Sequence, residues 1–266
     1  MPKHTETVLI TGGLGQVGYY AYLQLKNHYN ICIFDNLSSS KVEVPDDVTF
    51  IKNDIQNKAS YENLPKIDFI VHTAAQISIN QSVSNPIFDA ENNILGTLQL
   101  LEYAKKVKVK RFIHISSAAT YGEPIFLPIT EDHPRNPKSP YGLSKLVSEK
   151  YVRLYSQLYN LETVVLIPFN IYSPLQNADD PYAGVIFKFI EAIKKGVQYT
   201  IYGDGKQTRD FIHVKDVACA IALSLKLKSA ANQVIIIGSG VPYSINELSS
   251  NFKSLLTIEA FNFEAA

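Results

Sequence analysis

The stretch Val8-Leu9-Ile10-Thr11-Gly12-Gly13-Leu14-Gly15-Gln16-Val17-Gly18 constrains this chain more than any other. A short apolar run leads into glycines at 12, 15 and 18, and then into Tyr19 to Lys26, where Tyr19, Tyr22, Leu23 and Leu25 recur at helical spacing. This reads as strand, turn, helix. Glycines so placed serve a tight turn, close approach of backbone to a pyrophosphate, and close packing of helix on strand. The first helical turn then offers unpaired N–H donors to an anion. A second apolar run, Tyr29 to Asp35, ends in an acid about 20 residues past the loop, the position that takes an adenosine ribose. Because the Asp35 carboxylate would repel the extra phosphate of NADP, NAD is the expected cofactor.

Strand-like and helical runs alternate after the loop in the rhythm of a parallel sheet with helices on both faces. Strands are expected at 48–51, 67–72, 111–116, 163–168 and 233–237, and helices at 88–104, 141–159, 185–195 and 214–225. The fold class is therefore α/β, a doubly wound parallel Rossmann sheet with a small C-terminal substrate lobe. Residues 1–169 plus about 206–237 are expected to form the NAD-binding domain, and about 170–205 and 238–266 the lobe. Asn53-Asp54-Ile55, Thr73-Ala74-Ala75-Gln76 and Ser116-Ser117-Ala118 fall just past strand ends, where ligands bind in such sheets. Asp54 could accept from an adenine amino group, and the small Ala74 and Ala75 would let backbone pass close to the cofactor.

The charges cancel, 25 basic against 25 acidic residues, so no net field points to nucleic acid or to an anionic membrane. The basic cluster Lys105, Lys106, Lys108, Lys110 and Arg111 follows a helical segment ending near Ala104 and reads as a solvated helix C-terminus. Cys32 and Cys219 both lie in apolar runs and read as buried thiols. His72, His114 and His213 read as packed histidines, and no metal site is expected. No secretory leader and no membrane-length apolar run is visible, which predicts a soluble cytoplasmic protein.

Pro140-Tyr141-Gly142-Leu143-Ser144-Lys145 opens a helix, with Ser139 as N-cap and Pro140 at the first position. Tyrosine and lysine four apart share a helix face, so the ammonium can favour the phenolate and bring it toward neutrality. A tyrosine so tuned can take a proton from an alcohol. The same spacing occurs at Tyr22/Lys26 and Tyr202/Lys206. Only the Tyr141/Lys145 pair starts a helix and has a serine-bearing strand end, Ser116-Ser117, upstream; its alternative is an ordinary surface pair.

These motifs, with Asp35-Asn36-Leu37-Ser38, His72 to Gln76, Asn92-Asn93-Ile94-Leu95-Gly96-Thr97, Ser116 to Gly122 and Tyr202 to Asp216, together resemble the extended short-chain dehydrogenase/reductases. Within that family the likeness is to the nucleotide-sugar epimerases of the UDP-glucose 4-epimerase kind, and it runs from about residue 7 to 250. The resemblance implies that Gly12, Gly15, Gln16 and Val17 hold the pyrophosphate, and Asp35, Asn36 and Ser38 the adenosine ribose side. Asp54 and Ile55 would flank adenine, Ala74, Ala75, Gln76 and Asn92 would line the cofactor's middle, and Pro168 with Phe169 would border the nicotinamide. Tyr141 would be the base, Lys145 its tuner and a ligand of the nicotinamide ribose, and Ser117 the partner of the reacting hydroxyl. On the sugar-nucleotide side stand Asn170, the segment 182–186 with Gly184 and Val185, Thr200 to Tyr202, and Arg209 on the diphosphate.

The implied reaction is epimerisation of a nucleotide-diphosphate sugar, with C4 the expected centre, through a transient 4-keto sugar in a pocket between sheet and lobe. A dehydratase or decarboxylase on the same scaffold, or a non-catalytic NAD-binding regulator, are the alternatives; Ala118 and Ala119 stand where dehydratases carry an acidic pair. The chain departs from the family at Ile167, Ser173 and Leu175, and ends at Ala266 short of the family's usual length. Leu143, Val147, Tyr151, Leu154 and Leu158 form an apolar stripe at helical spacing, read either as buried in its own domain or as the seam of a homodimer.

Overall fold

The structure, a computed structural model, describes residues 4–40, 42–62, 64–176 and 184–256. It divides into two compact units, Met1–Pro168 with Val214–Ile237, and Phe169–His213 with Gly238–Ala266. Strands and helices are numbered in chain order.

The first unit is built on β1 (Thr7–Thr11), β2 (Asn30–Asp35), β3 (Thr49–Lys52), β4 (Phe69–His72), β5 (Arg111–Ile115), β6 (Thr163–Pro168) and β9 (Val234–Ile237). They form one parallel sheet in the order β3-β2-β1-β4-β5-β6-β9. Every residue of β4, β5 and β6 is buried, as expected of parallel strands covered on both faces. Leu9, Phe34, Ile70, Leu100, Phe112 and Val165 sit together in the core. Around the sheet run α1 (Gln16–Leu25), α2 (Ile79–Ser84), α3 (Pro86–Ala90), α4 (Thr97–Val107), α5 (Pro140–Tyr159) and α7 (Val214–Lys226). The sequence direction of the sheet reverses between β1 and β4, so the loops leaving those two strands diverge and open a crevice at their carboxyl ends.

The second unit carries a three-stranded sheet, β7 (Asn170–Tyr172), β8 (Thr208–His213) and β10 (Pro242–Ser244), in the order β10-β8-β7. It packs with α6 (Val185–Lys194) and α8 (Ile245–Leu256) over a core of Phe189, Tyr199, Ile201, Ile245 and Leu248.

Several expectations need correction. The helix expected over 88–104 is α3, then a π-helical turn over Glu91–Gly96, then α4, because Asn85 and Pro86 start a new helix and an extra residue is accommodated at the asparagines. Residues 206–213 belong with the second unit, since β8 pairs with β7 and β10. Arg111 is no part of a solvated helix end; it is 5% exposed in β5, bonded to Glu162 at 2.6 Å and to the carbonyls of Ser224 and Leu227. Cys219 is exposed, because the buried face of α7 is Val214, Val217, Ala218, Ile221, Ala222 and Leu225, and position 219 points the other way. The apolar stripe on α5 is not buried within its own unit: Leu143, Leu154 and Leu158 are exposed.

Candidate active site

Gly12 follows β1 with φ +66°, and a Cβ there would lie 2.7 Å from the backbone of Ala74. Only glycine lets the loop after β1 pass so close to the loop after β4. Gly15 caps α1, and Gln16 and Val17 form its first turn, so their N–H groups face the end of the sheet without helical partners. A Cβ on Gly18 would overlap the carbonyl oxygen of Gly12, which fixes how tightly α1 docks on the turn. A dinucleotide pyrophosphate fits a cradle of this shape.

At the end of β2 the carboxylate of Asp35 is 8% exposed and accepts from the backbone N–H groups of Leu14, at 3.0 Å, and Leu37, at 2.8 Å. It thereby ties the glycine turn to the loop carrying Asn36 and Ser38, where Asn36 accepts from Ser38 N and donates to Asp54 at 2.7 Å. Asp54 also accepts from Gln56 N, and Ile55 is buried with its carbonyl bonded to Tyr61. Asp35, Asn36, Ser38 and Asp54 are thus one connected cluster beside the turn.

The catalytic candidates come from two elements. Ser117 leaves β5 and caps a short 3-10 turn by accepting from Ala119 N at 3.2 Å. Tyr141 sits in the first turn of α5, whose N-cap Ser139 accepts from Gly142 N at 3.1 Å. A Cβ on Gly142 would lie 2.6 Å from the carbonyl of Ala119, so the absent side chain lets α5 dock directly on the turn after Ser117. As a result Ser117 stands beside the phenol of Tyr141, near enough to lower its pKa. Lys145, one helical turn on, is 5% exposed.

The electrostatics differ from the expectation. Burial raises the pKa of Tyr141 above its ordinary value, Ser117 lowers it, and the charge of Asp89 raises it again. The net shift is upward, so the expected lowering toward neutrality is not seen. At Lys145 burial pushes the ammonium down to about 8, and Asp89 and Glu149 push back. At pH 7 Lys145 is still protonated.

Three polar residues behind the pair went unassigned in the sequence: Asp89, Asn93 and Ser144. Asn93, turned inward by the π-helical turn, donates to Asp89, to the carbonyl of Gln76 and to Ser144 Oγ. Gln76 faces this network, with Nε2 on Asp89 and on the carbonyl of Ser78. Asn92 donates to the carbonyl of Phe88. Two adjacent asparagines inside an apolar helical stretch were the available signal. His72 and His114 are buried as expected; His72 bridges Thr11 at 2.8 Å and Thr97 at 2.9 Å. Ala74 and Ala75 lie just past β4, Pro168 ends β6, and Ile167 is fully buried in the core.

In the second unit a cavity of about 270 Å³ gathers Asn170, Gly184, Val185, Tyr202 and Arg209 with Tyr172, Gln176, Thr200, Gln207 and Phe211. Arg209 is exposed and, among the described residues, donates to the carbonyl of Thr208 at 2.7 Å. Tyr182, in the expected 182–186 segment, and residues 257–266 lie outside the described residues. Among the described residues no group of three or more His, Cys, Asp or Glu could hold a metal ion.

Residues 8–238 match the family model of the NAD dependent epimerase/dehydratase family. The chain belongs to this family. A putative UDP-glucose 4-epimerase of Methanocaldococcus jannaschii is 41% identical over 246 residues, covering 91% of this chain and 79% of the relative. Among solved structures, the UDP-N-acetylglucosamine 4-epimerase of Methanobrevibacter ruminantium, in complex with UDP-N-acetylmuramic acid, superposes with a TM-score of 0.93 at 36% identity, covering 98% of this chain and 85% of that one. The UDP-glucose 4-epimerase of Thermotoga maritima, with UDP-glucose, gives 0.91 at 34% identity, covering 97% and 85%. This chain is therefore a member of an NAD-dependent family with a Rossmann sheet, and among the described residues no helix is long and apolar enough to cross a membrane.

Proposed function

We propose that this chain is an NAD-dependent epimerase acting at C4 of a nucleotide-diphosphate sugar of the UDP-glucose/UDP-galactose type. The observation that carries the reading is the junction of Ser117, Tyr141 and Lys145, made by docking α5 on the turn after β5 through Gly142. Gly12, Gly15, Gln16 and Val17 hold the pyrophosphate, Asp35, Asn36 and Ser38 the adenosine ribose, Asp54 and Ile55 flank adenine, and Ala74, Ala75, Gln76, Asn92 and Pro168 line the rest. NAD, when bound, supplies the hydride acceptor and its return.

Tyr141 Oη takes the proton of the C4 hydroxyl, Ser117 Oγ holds that hydroxyl in line, and Tyr141 returns the proton after the 4-keto sugar has turned over. A phenol held upward by burial needs positive charge beside it before it can act as a base, and Lys145, protonated below about 8, is the group on this chain that provides it. Arg209 takes the diphosphate by two-point hydrogen bonding, and Tyr202 and Asn170 lie in the same cavity. The exposed leucines of α5 support a homodimer, and the reading is of a cytoplasmic enzyme.

A panel of UDP-glucose, UDP-galactose, UDP-N-acetylglucosamine and dTDP-glucose, each analysed by mass and by sugar configuration, tests this. The expected product is an isomer of unchanged mass, fastest for UDP-glucose and UDP-galactose. Loss of water or of carbon dioxide, or no turnover of any member, would overturn it.

A further inference from the structure

We infer that Asp89 is a positioning residue for the Tyr141–Lys145 pair, a buried carboxylate fixed by Gln76 and Asn93 so that its charge acts on both side chains. The inference rests on the acid–base role proposed for that pair. Asp89 is 1% exposed near the end of α3. Gln76 Nε2 donates to its Oδ1 at 2.8 Å, and Asn93 Nδ2 donates to the same oxygen at 3.0 Å. Asn93 Nδ2 also reaches Ser144 Oγ at 3.1 Å, and Ser144 donates to the carbonyl of Tyr141 at 3.0 Å. A connected path of hydrogen bonds therefore runs from the carboxylate to the backbone of the proposed base, and satisfied buried networks of this kind hold one geometry.

The charge itself sets Asp89 apart. Glu149, the other buried acid of this region, is neutralised by Arg135 at 3.3 Å and accepts from Ser116 at 3.1 Å. Among the described residues no cation lies within ion-pair distance of Asp89, so its compensation comes from two amide donors and from the field of Lys145. The charged and titratable groups acting with Lys145 are Asp89 from α3, Glu149 from its own helix, His72 from β4 and His114 from β5, and burial keeps both histidines neutral. Asp89 favours the charged form of Lys145 and disfavours the phenolate of Tyr141. Both effects have one sign: without the carboxylate, each group gives up its proton at lower pH.

Asp89→Asn keeps Oδ1 as the acceptor for Gln76 and Asn93 and removes the charge. Ultraviolet titration of tyrosinate in the holoenzyme, taken as the difference from the matching Tyr141→Phe protein, isolates the one phenol. Its midpoint is expected to fall by about one pH unit in Asp89→Asn. Both limbs of the kcat/KM profile should move to lower pH with it, and Asp89→Glu should restore most of the wild-type position. An unmoved or raised midpoint, or a rate lowered equally at every pH, would show a merely structural acceptor and overturn the inference. If Asp89→Asn does not fold, Asp89→Ser is read by the same titration. Should wild-type protein turn over no sugar nucleotide, the proposed function fails while the phenol titration still decides the role of Asp89.

Discussion

The two units hold their polar groups in opposite ways. In the seven-stranded unit Asp35, Asp89, Asn93 and Glu149 are each 8% exposed or less and tied into hydrogen bonds or charge pairs. In the three-stranded unit Tyr202, Gln207 and Arg209 line their cavity from exposed positions. Moving protons needs a fixed field in which each charge is worth much, whereas capturing a charged ligand tolerates a solvated rim. Substitutions in the first unit should therefore strike cofactor binding and kcat, and those in the second should strike KM.

The largest effect that would sharpen this contrast is Gly18→Val. Its side chain would collide with the Gly12 carbonyl, so the purified protein should carry no NAD while its affinity for UDP, a probe of the second unit, stays at the wild-type value. Loss of both in calorimetric titration would break the separation. Next, Arg209→Ala should raise KM for a UDP-sugar by roughly 10- to 100-fold, the worth of charge-assisted hydrogen bonds, with kcat nearly unchanged. A fall in kcat of the same size would move Arg209 into the chemistry.

A smaller effect concerns acid. His72 is buried neutral, with its pKa pushed from the usual range down to about 3. Below its ordinary value the unfolded chain binds a proton that the folded first unit refuses, so stability falls as pH drops through that window. The loss from His72 alone should be about 2 kcal/mol between pH 7 and pH 5, checked by urea unfolding, with His114 acting in the same direction. A flat profile would mean that the histidine accepts its proton in the folded state.

How much was legible in the sequence follows the same division. Continuous apolar runs such as Thr163–Pro168 mark buried parallel strands whatever surrounds them, and Asp35 declares itself by its distance from the glycine turn. Strands of three residues, Asn170–Tyr172 and Pro242–Ser244, are too short to show alternation, and Thr208–His213 mixes charged and apolar residues. The tertiary pairing that makes them a sheet leaves no local trace. The Tyr141–Lys145 spacing was readable, but the field around it was not, because Asp89 lies more than 50 residues upstream on a separate short helix. Spacing likewise implied that lysine would tune the tyrosine, whereas burial of both outweighs their separation along the helix.

The comparison rests on Tyr141 being the group that moves the proton. Interconversion of UDP-glucose and UDP-galactose by NAD-loaded wild-type and Tyr141→Phe proteins measures this most directly. The expected result is a loss of about 10²- to 10⁴-fold in kcat with NAD still bound at the wild-type stoichiometry. A Tyr141→Phe protein that interconverts the two sugars at close to the wild-type rate would contradict it.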